Sequence, residues 1–464
     1  MKDKDKTKNV ISRRDFMKRL GLATAAVTGL SSITSCKKEG QTPAGEMTYR
    51  TNPTTGDKVS LLGFGMMRLP SQAGGSAREG GAIDQEMVNR MVKYAFDHGV
   101  NYYDTSPAYC KGRSEAATGI ALKQLPRDKV YVATKLSNFA RETWTYEASV
   151  QMYHDSMKEL QVDYIDYYLL HGIGMGSDGD GYEELFERYI NNGVLDFLLE
   201  ERKAGRIRNL GFSYHGDIRA FDYLLANHDK YKWDFVQIQL NYVDWQHAKE
   251  INDRNTNAEY LYNELAKRNI PAVVMEPLLG GRLSNVLDGI FKSFKEREPE
   301  MSAAAWAFRF AGGLPGILTV LSGMAKMSHL EENIRTFSPL KPLTADDQKF
   351  LQEVARRIAS SDIIPCTNCK YCMPCPFGLN IPGIFMHYNK CVNDGDVPQS
   401  TQDPNYRSAR RAFLVGYDRS IPRVRQADHC IGCGYCTPHC PQRIHIPNEM
   451  QRISAYVNEL KANP

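Results

Sequence analysis

Beyond its N-terminal stretch the chain has no apolar run long enough to cross a bilayer, so no transmembrane helix is expected there. Neither sign of charge dominates: 58 Lys and Arg stand against 54 Asp and Glu, a net +4 over 464 residues. No basic stripe with interleaved aromatics occurs, and nucleic acid is not an expected partner. A doubly wound sheet would carry a glycine-rich dinucleotide loop after its first strand. Here Gly63-Phe64-Gly65 runs on into Met66-Met67-Arg68 and never completes G-x-G-x-x-G. Cysteine is scarce through most of the length, yet eight of the eleven crowd into two tight clusters near the C-terminus. With 42% hydrophobic and 24% charged residues, the chain reads as a soluble globular protein of two or three domains.

The first residues are polar and basic, then come Ser12-Arg13-Arg14-Asp15-Phe16-Met17-Lys18 and a moderately apolar stretch from Leu20 to Ile33. This resembles a twin-arginine export signal. The stretch ends in Ile33-Thr34-Ser35-Cys36, which is similar to a lipobox. The resemblance implies export by the twin-arginine route to the periplasm. Contact with the membrane would be made only through a lipid on Cys36. Residues 37–46 then read as a tether, with Lys, Gly, Gln, Thr and Pro but no core to bury.

From Met47 short apolar runs alternate with longer amphipathic ones, the pattern of βα units around a parallel sheet. Eight strands are expected: Leu61–Arg68, Asn101–Thr105, Val130–Leu136, Tyr164–His171, Ile207–Ser213, Phe235–Tyr242, Ala272–Pro277 and Gly316–Gly323. Helical patterns fill the gaps, among them Asp84–His98, Ser114–Leu125, Tyr146–Leu160 and Glu259–Arg268. Eight such units predict an α/β fold, a (β/α)8 TIM barrel over residues 47–341. Chemistry in that fold sits at the C-terminal ends of the strands.

Three consecutive strands end in groups that a core does not want: Asp104, Lys135 and His171. Burying an unpaired charge is costly, so their convergence favours a site. Asp104 and Lys135, on neighbouring strands, can pair. Tyr109 lies on the loop above, and a nearby ammonium would stabilise its phenolate and bring its ordinary value of about 10 toward neutrality. His171 can orient a substrate oxygen. The four groups suit protonation of a carbonyl oxygen while hydride arrives at its carbon.

The segment Gly99–Tyr109 with Ser114-Glu115, then Val132–Lys135, Asp163–His171 and Gly205–Ser213, together resemble the aldo-keto reductase family from about Leu61 to Asn333. The resemblance implies Tyr109 as general acid/base, Lys135 as modulator of its pKa, Asp104 as partner of Lys135 and His171 as orienter. It implies NAD(P) bound without a Rossmann unit. Ser213 and Gln237 would hold the nicotinamide amide, Ser322, Gly323 and Met324 would line the end of the last strand, and Glu332 and Asn333 would meet the adenine end. Cys110 stands where many members have Gly, and Tyr214-His215 replaces a common Asn. The positions that meet a 2′-phosphate in NADPH-preferring members are Gly323 and His329, with Lys326 close by. The choice of nucleotide stays open, leaning to NADH.

Residues 342–464 hold Cys366-x2-Cys369-x2-Cys372-x2-Cys375-Pro376 and Cys430-x2-Cys433-x2-Cys436-x3-Cys440-Pro441. The second run is the bacterial ferredoxin pattern, and the first is one residue short of it. The tails Gly378–Pro382 and Arg443–Pro447 resemble each other, as the halves of a two-cluster ferredoxin do. Zinc would usually take two cysteines per knuckle, and disulfides are the usual state of exported cysteines. Proteins carried by the twin-arginine route load cofactors before export, which keeps clusters open here. By the ferredoxin rule Cys366, Cys369, Cys372 and Cys440 would hold one [4Fe–4S] cluster and Cys375, Cys430, Cys433 and Cys436 the other. Cys391 is a spare, read as a small buried side chain.

The expectation is thus an exported oxidoreductase in four parts: a signal (1–36), a linker (37–46), the barrel and a mainly helical iron–sulfur domain (342–464). It would act on a small carbonyl or alcohol and exchange electrons with an outside partner. Two alternatives remain: a barrel kept only as an electron-transfer docking module, or a redox lyase or isomerase that uses NAD(P) transiently.

Overall fold

The computed structural model describes residues 45–463 except Gly80, 177–179, 361, 362, Thr367, Cys369, Tyr371, Gln399, Pro441 and Arg443. The expected export signal, the lipobox Cys36 and most of the tether lie outside the described residues.

A short antiparallel hairpin comes first, β1 (Tyr49–Thr51) and β2 (Lys58–Ser60). Eight parallel strands follow: β3 (Leu62–Gly65), β4 (Tyr102–Asp104), β5 (Tyr131–Leu136), β6 (Ile165–Ile173), β7 (Ile207–Tyr214), β8 (Phe235–Gln239), β9 (Ala272–Met275) and β10 (Ile317–Gly323). They close in the order β10-β3-β4-β5-β6-β7-β8-β9, the barrel that the alternating pattern predicts. Strand interiors are filled by Tyr102, Tyr167, Phe235, Val273 and Leu318, all buried.

The helices form where caps and periodicity agree. In Gln85–Asp97 the Asp84 carboxylate accepts from the Met87 amide, and Val88, Met91, Val92 and Ala95 present one buried stripe to the strands. At the N-terminal end of the barrel the hairpin seals the bore with a polar plug. Asn52 donates to Asn209, and Tyr167 and Asn209 both donate to Asp57.

Past the boundary expected at 341/342, the helix Ala345–Ala359 still packs on the barrel. Its Phe350 ring lies 5.5 Å from Phe294 and 5.7 Å from Trp306, in one core with Tyr242 and Leu283. A separate core then gathers the helices Ile381–Asp394, Tyr406–Ser420 and Ile446–Ala462 around Phe385, Phe413 and Met450. The two similar tails do the same job here: each delivers a proline to the first turn of a helix. Among the described residues no helix is long and apolar enough to cross a membrane.

Candidate active site and cysteine centre

At the C-terminal mouth Lys135 Nζ donates to Asp104 Oδ1 and to the Thr105 carbonyl, each at 2.7 Å. Both charged groups are buried. Burial pulls the lysine pKa down and pushes the aspartate up, each opposed by its partner's charge. Behind them Glu115 accepts a 2.5 Å hydrogen bond from Thr134, and burial pushes its carboxyl up to about 7.

Tyr109 begins a single 3-10 turn over this pair, with the Lys135 ammonium 4.9 Å from its ring centroid. The His171 ring meets it edge-on at 6.0 Å. Cys110 and Lys111 continue that turn at φ 50° and 55°, a left-handed conformation that costs roughly 1 kcal/mol in a residue with a Cβ. The strain gives a physical reason for the glycine that many family members carry at the position of Cys110.

His171 Nδ1 is engaged by the Ser137 hydroxyl at 2.6 Å, and Ser137 bonds Ser106 at 2.8 Å. Burial, then the charges of Lys135, His215 and Arg188, hold the His171 pKa well below its usual value, so the ring is neutral. Its backbone carbonyl accepts from Arg188 and from the Tyr189 hydroxyl, both at 2.9 Å. The sequence reading missed Ser106, Ser137 and Arg188. Ser137 was within reach of it: it stands two residues past Lys135, and strand alternation puts both on one face.

The residues expected at the nucleotide fall into two groups. Ser213 on β7 and Gln237 on β8 are register partners, side by side and buried. The Ser213 hydroxyl accepts from the Gly172 amide at 2.8 Å, and Gln237 bonds toward Asp104. At the end of β10, Ser322 accepts from Asn333 at 3.0 Å, with Glu332 next to it in the helix Met327–Phe337. At Gly323 a Cβ would come within 3.0 Å of the Arg68 side chain. Met324 is buried in the layer between strands and helices, so its side chain serves packing.

A further polar set occupies the mouth between β8 and β9. Asp244 Oδ2 accepts from Gln239 at 2.7 Å and Asn241 at 2.6 Å, and burial pushes its carboxyl up to about 6. Arg282, on the turn Leu279–Ser284, faces Asp244 and Tyr242.

In the C-terminal domain no disulfide joins any of the eight described cysteines. The thiols of Cys430, Cys375 and Cys433 lie close to Cys436; burial first, and then these neighbours, push its pKa up. All four line one pocket with Leu379, Ile381 and Met450. Cys375 thus leaves its own run to join three cysteines of the other, the crossed set that the ferredoxin rule expects. Among the described residues no three His, Cys, Asp or Glu side chains share a single-ion site. In a four-iron cluster each thiolate takes an iron of its own, and four sulfurs around an apolar cavity suit that group. Cys391 is buried beside His387, its thiol pushed up to about 12 chiefly by burial.

Comparison with known proteins agrees with both halves. The aldo/keto reductase family profile matches residues 61–356, and a 4Fe-4S dicluster domain profile matches residues 365–445. L-galactose dehydrogenase of Arabidopsis thaliana is 27% identical over 320 residues, 65% of this chain and 91% of that protein. The NADH-specific methylglyoxal reductase of Escherichia coli is 31% identical over 137 residues, 25% of this chain and 40% of that protein. Among solved structures, an aldo-keto reductase of Bacillus halodurans in its holo form superposes with a TM-score of 0.52 at 22% identity. It covers 67% of this chain and 96% of its own. One from Klebsiella pneumoniae in complex with NADP and acetate gives 0.51 at 21%, covering 67% and 95%. A family match over well more than half the sequence, on a closed eight-stranded barrel, means that the chain belongs to the aldo/keto reductase family and is an oxidoreductase of that type, extended by a 4Fe-4S ferredoxin-like domain.

Proposed function

We propose that the barrel interconverts a small carbonyl compound and its alcohol with NAD(P), and that the C-terminal domain holds two [4Fe–4S] clusters that relay electrons to or from an outside partner. One observation carries the catalytic half: a buried ammonium clamped by Asp104 lies beneath Tyr109, next to a neutral His171. The bound nicotinamide supplies or accepts the hydride. Tyr109 delivers the proton to the carbonyl oxygen in reduction and takes it back in oxidation. Lys135 favours the phenolate left behind, and Asp104 fixes the ammonium in place. His171 orients the substrate oxygen through its ring, held by Ser137.

The paired Ser213 hydroxyl and Gln237 amide suit a carboxamide, which has one acceptor and two donors. Gly323 and His329 offer little to a 2′-phosphate, which favours NADH despite Lys326. The Escherichia coli relative is named as NADH-specific and the Klebsiella structure holds NADP, so the family accommodates both. The gathering of Cys375, Cys430, Cys433 and Cys436 supports one cluster, and the ferredoxin rule assigns Cys366, Cys369, Cys372 and Cys440 to the other.

The chain would be exported by the twin-arginine route, with nucleotide and clusters loaded beforehand, and anchored through Cys36. The test is anaerobic purification of the exported form without added nucleotide. Extraction should release near-stoichiometric NAD(H) or NADP(H). An empty barrel would overturn the resident-nucleotide reading.

A further inference from the structure

The two cysteine sets do not face the same surroundings. Cys366 lies within electrostatic reach of Arg282, the guanidinium that also faces Asp244 and Tyr242 at the barrel mouth. Two residues past Cys440, the Gln442 carbonyl accepts a 2.9 Å hydrogen bond from Asn252, at the end of the barrel helix Asp244–Ile251. Cys366, the first cysteine of one expected set, and Gln442, two residues past its last, therefore meet the barrel on the segments after β9 and β8 respectively.

The other set looks outward. Among the described residues, its pocket is lined only by the C-terminal domain. Three apolar side chains on its rim are exposed, Phe377 at 47%, Ile431 at 65% and Tyr435 at 55%, and Cys433 is exposed beside them.

Arg282 supplies the second observation. Its turn is made possible by Gly280 and Gly281 at φ 68° and 104°, and its Nη1 is buried with no hydrogen-bond acceptor among the described residues. A buried guanidinium nitrogen left so is costly. An anionic centre of thiolates and sulfides beside Cys366 is the kind of neighbour that would offset the cost, because sulfur accepts hydrogen bonds and the cluster carries negative charge.

Resting on the two-cluster reading above, we infer that the cluster of Cys366, Cys369, Cys372 and Cys440 is the inner one, facing the barrel mouth, with Arg282 as the positioning charge between them. The cluster of Cys375, Cys430, Cys433 and Cys436 is the outer one. A positive charge beside a cluster favours its reduced state, so Arg282 raises the potential of the inner cluster and leaves the outer one nearly untouched. The order barrel, inner cluster, outer cluster, apolar rim rests on Cys366 beside Arg282, on the Asn252–Gln442 bond and on the exposure of Cys433 and its rim.

The experiment is an anaerobic redox titration followed by electron paramagnetic resonance on the full chain. Arg282→Gln, Arg282→Lys and Cys433→Ser are compared with the unaltered protein, each with and without a soluble paramagnetic relaxer, and with iron and nucleotide assayed. Cys433→Ser should alter the signal that the relaxer reaches. Arg282→Gln should shift the other signal to lower potential with nucleotide content unchanged, and Arg282→Lys should restore most of the shift. The ordering is overturned if Arg282→Gln moves the relaxer-exposed signal, or moves neither signal while nucleotide is lost, which would make Arg282 a nucleotide ligand instead. Four iron atoms per unaltered chain would overturn the two-cluster reading itself; eight iron with the wrong signal moving overturns the ordering alone.

Discussion

Lys135 crosses from β5 to Asp104 on β4, Nζ to Oδ1 at 2.7 Å, with both groups withdrawn from solvent. A buried ion pair of this kind is uninformative about stability until one partner is removed; the other is then left charged and uncompensated. Lys135→Met should therefore cost on the order of 3–5 kcal/mol of folding free energy as well as activity.

Tyr109→Phe separates the two effects. Tyr109 is only half-buried, and losing its hydroxyl should lower kcat by roughly 10²–10⁴-fold with little change in stability or nucleotide affinity. Steady-state kinetics together with thermal unfolding distinguish the variants. Near-native turnover in Tyr109→Phe would remove the proton-transfer role. His171, held well below the usual imidazole range, should contribute no inflection near 6.5 to the pH–rate profile.

Glu115 makes a prediction about stability and pH. Its carboxyl titrates at about 7 in the folded chain against an ordinary 4.5. Between those values the folded state keeps a proton that the unfolded state has released, so stability falls as pH rises from about 4.5 to 7 and then levels off. The loss is on the order of 3 kcal/mol. Glu115→Gln keeps the hydrogen-bonding shape and should flatten that slope in denaturant titrations across the window. An unchanged slope would place the burden on another group.

The placement of Asp104, Lys135 and His171 was legible in the sequence because each puts a group that a core rejects at or within two residues of the end of an apolar strand. The crossed position of Cys375 was legible from the ferredoxin spacing, whose fourth cysteine goes to the other cluster. Other features left no periodic trace. The hairpin strands are three residues long, too short to alternate. The apolar stripe of Ala345–Ala359 marks a helix but does not say that its core is shared with Trp306. Nor does Leu279-Gly280-Gly281-Arg282 announce a guanidinium turned inward, since that depends on what the neighbouring domain sets against it.

The metal content should divide the cysteines. Anaerobically prepared protein should contain close to eight iron atoms per chain. Cys391→Ala should leave that number unchanged, because Cys391 lies outside both sets, whereas Cys436→Ser should lower it. Stoichiometric zinc without iron would refute the cluster reading.

The address at the N-terminus is tested by location. Arg13→Lys with Arg14→Lys should hold folded protein in the cytoplasm. Cys36→Ala should move exported protein from the membrane fraction to the soluble one. Fractionation showing normal export of the double variant would count against the signal.

The polar plug of Asn52, Asp57, Tyr167 and Asn209 closes the N-terminal end of a bore already packed with side chains, so the site at the C-terminal mouth is approached from that face. The C-terminal domain fastens to one side of that mouth, at Asn252 and beside Arg282. Whatever binds at the mouth meets that side on the way in and on the way out. The sequence in which the two halves mature then becomes part of the chemistry. A barrel filled before its neighbour docks keeps its contents, and one filled afterwards has to work around a partner already in place.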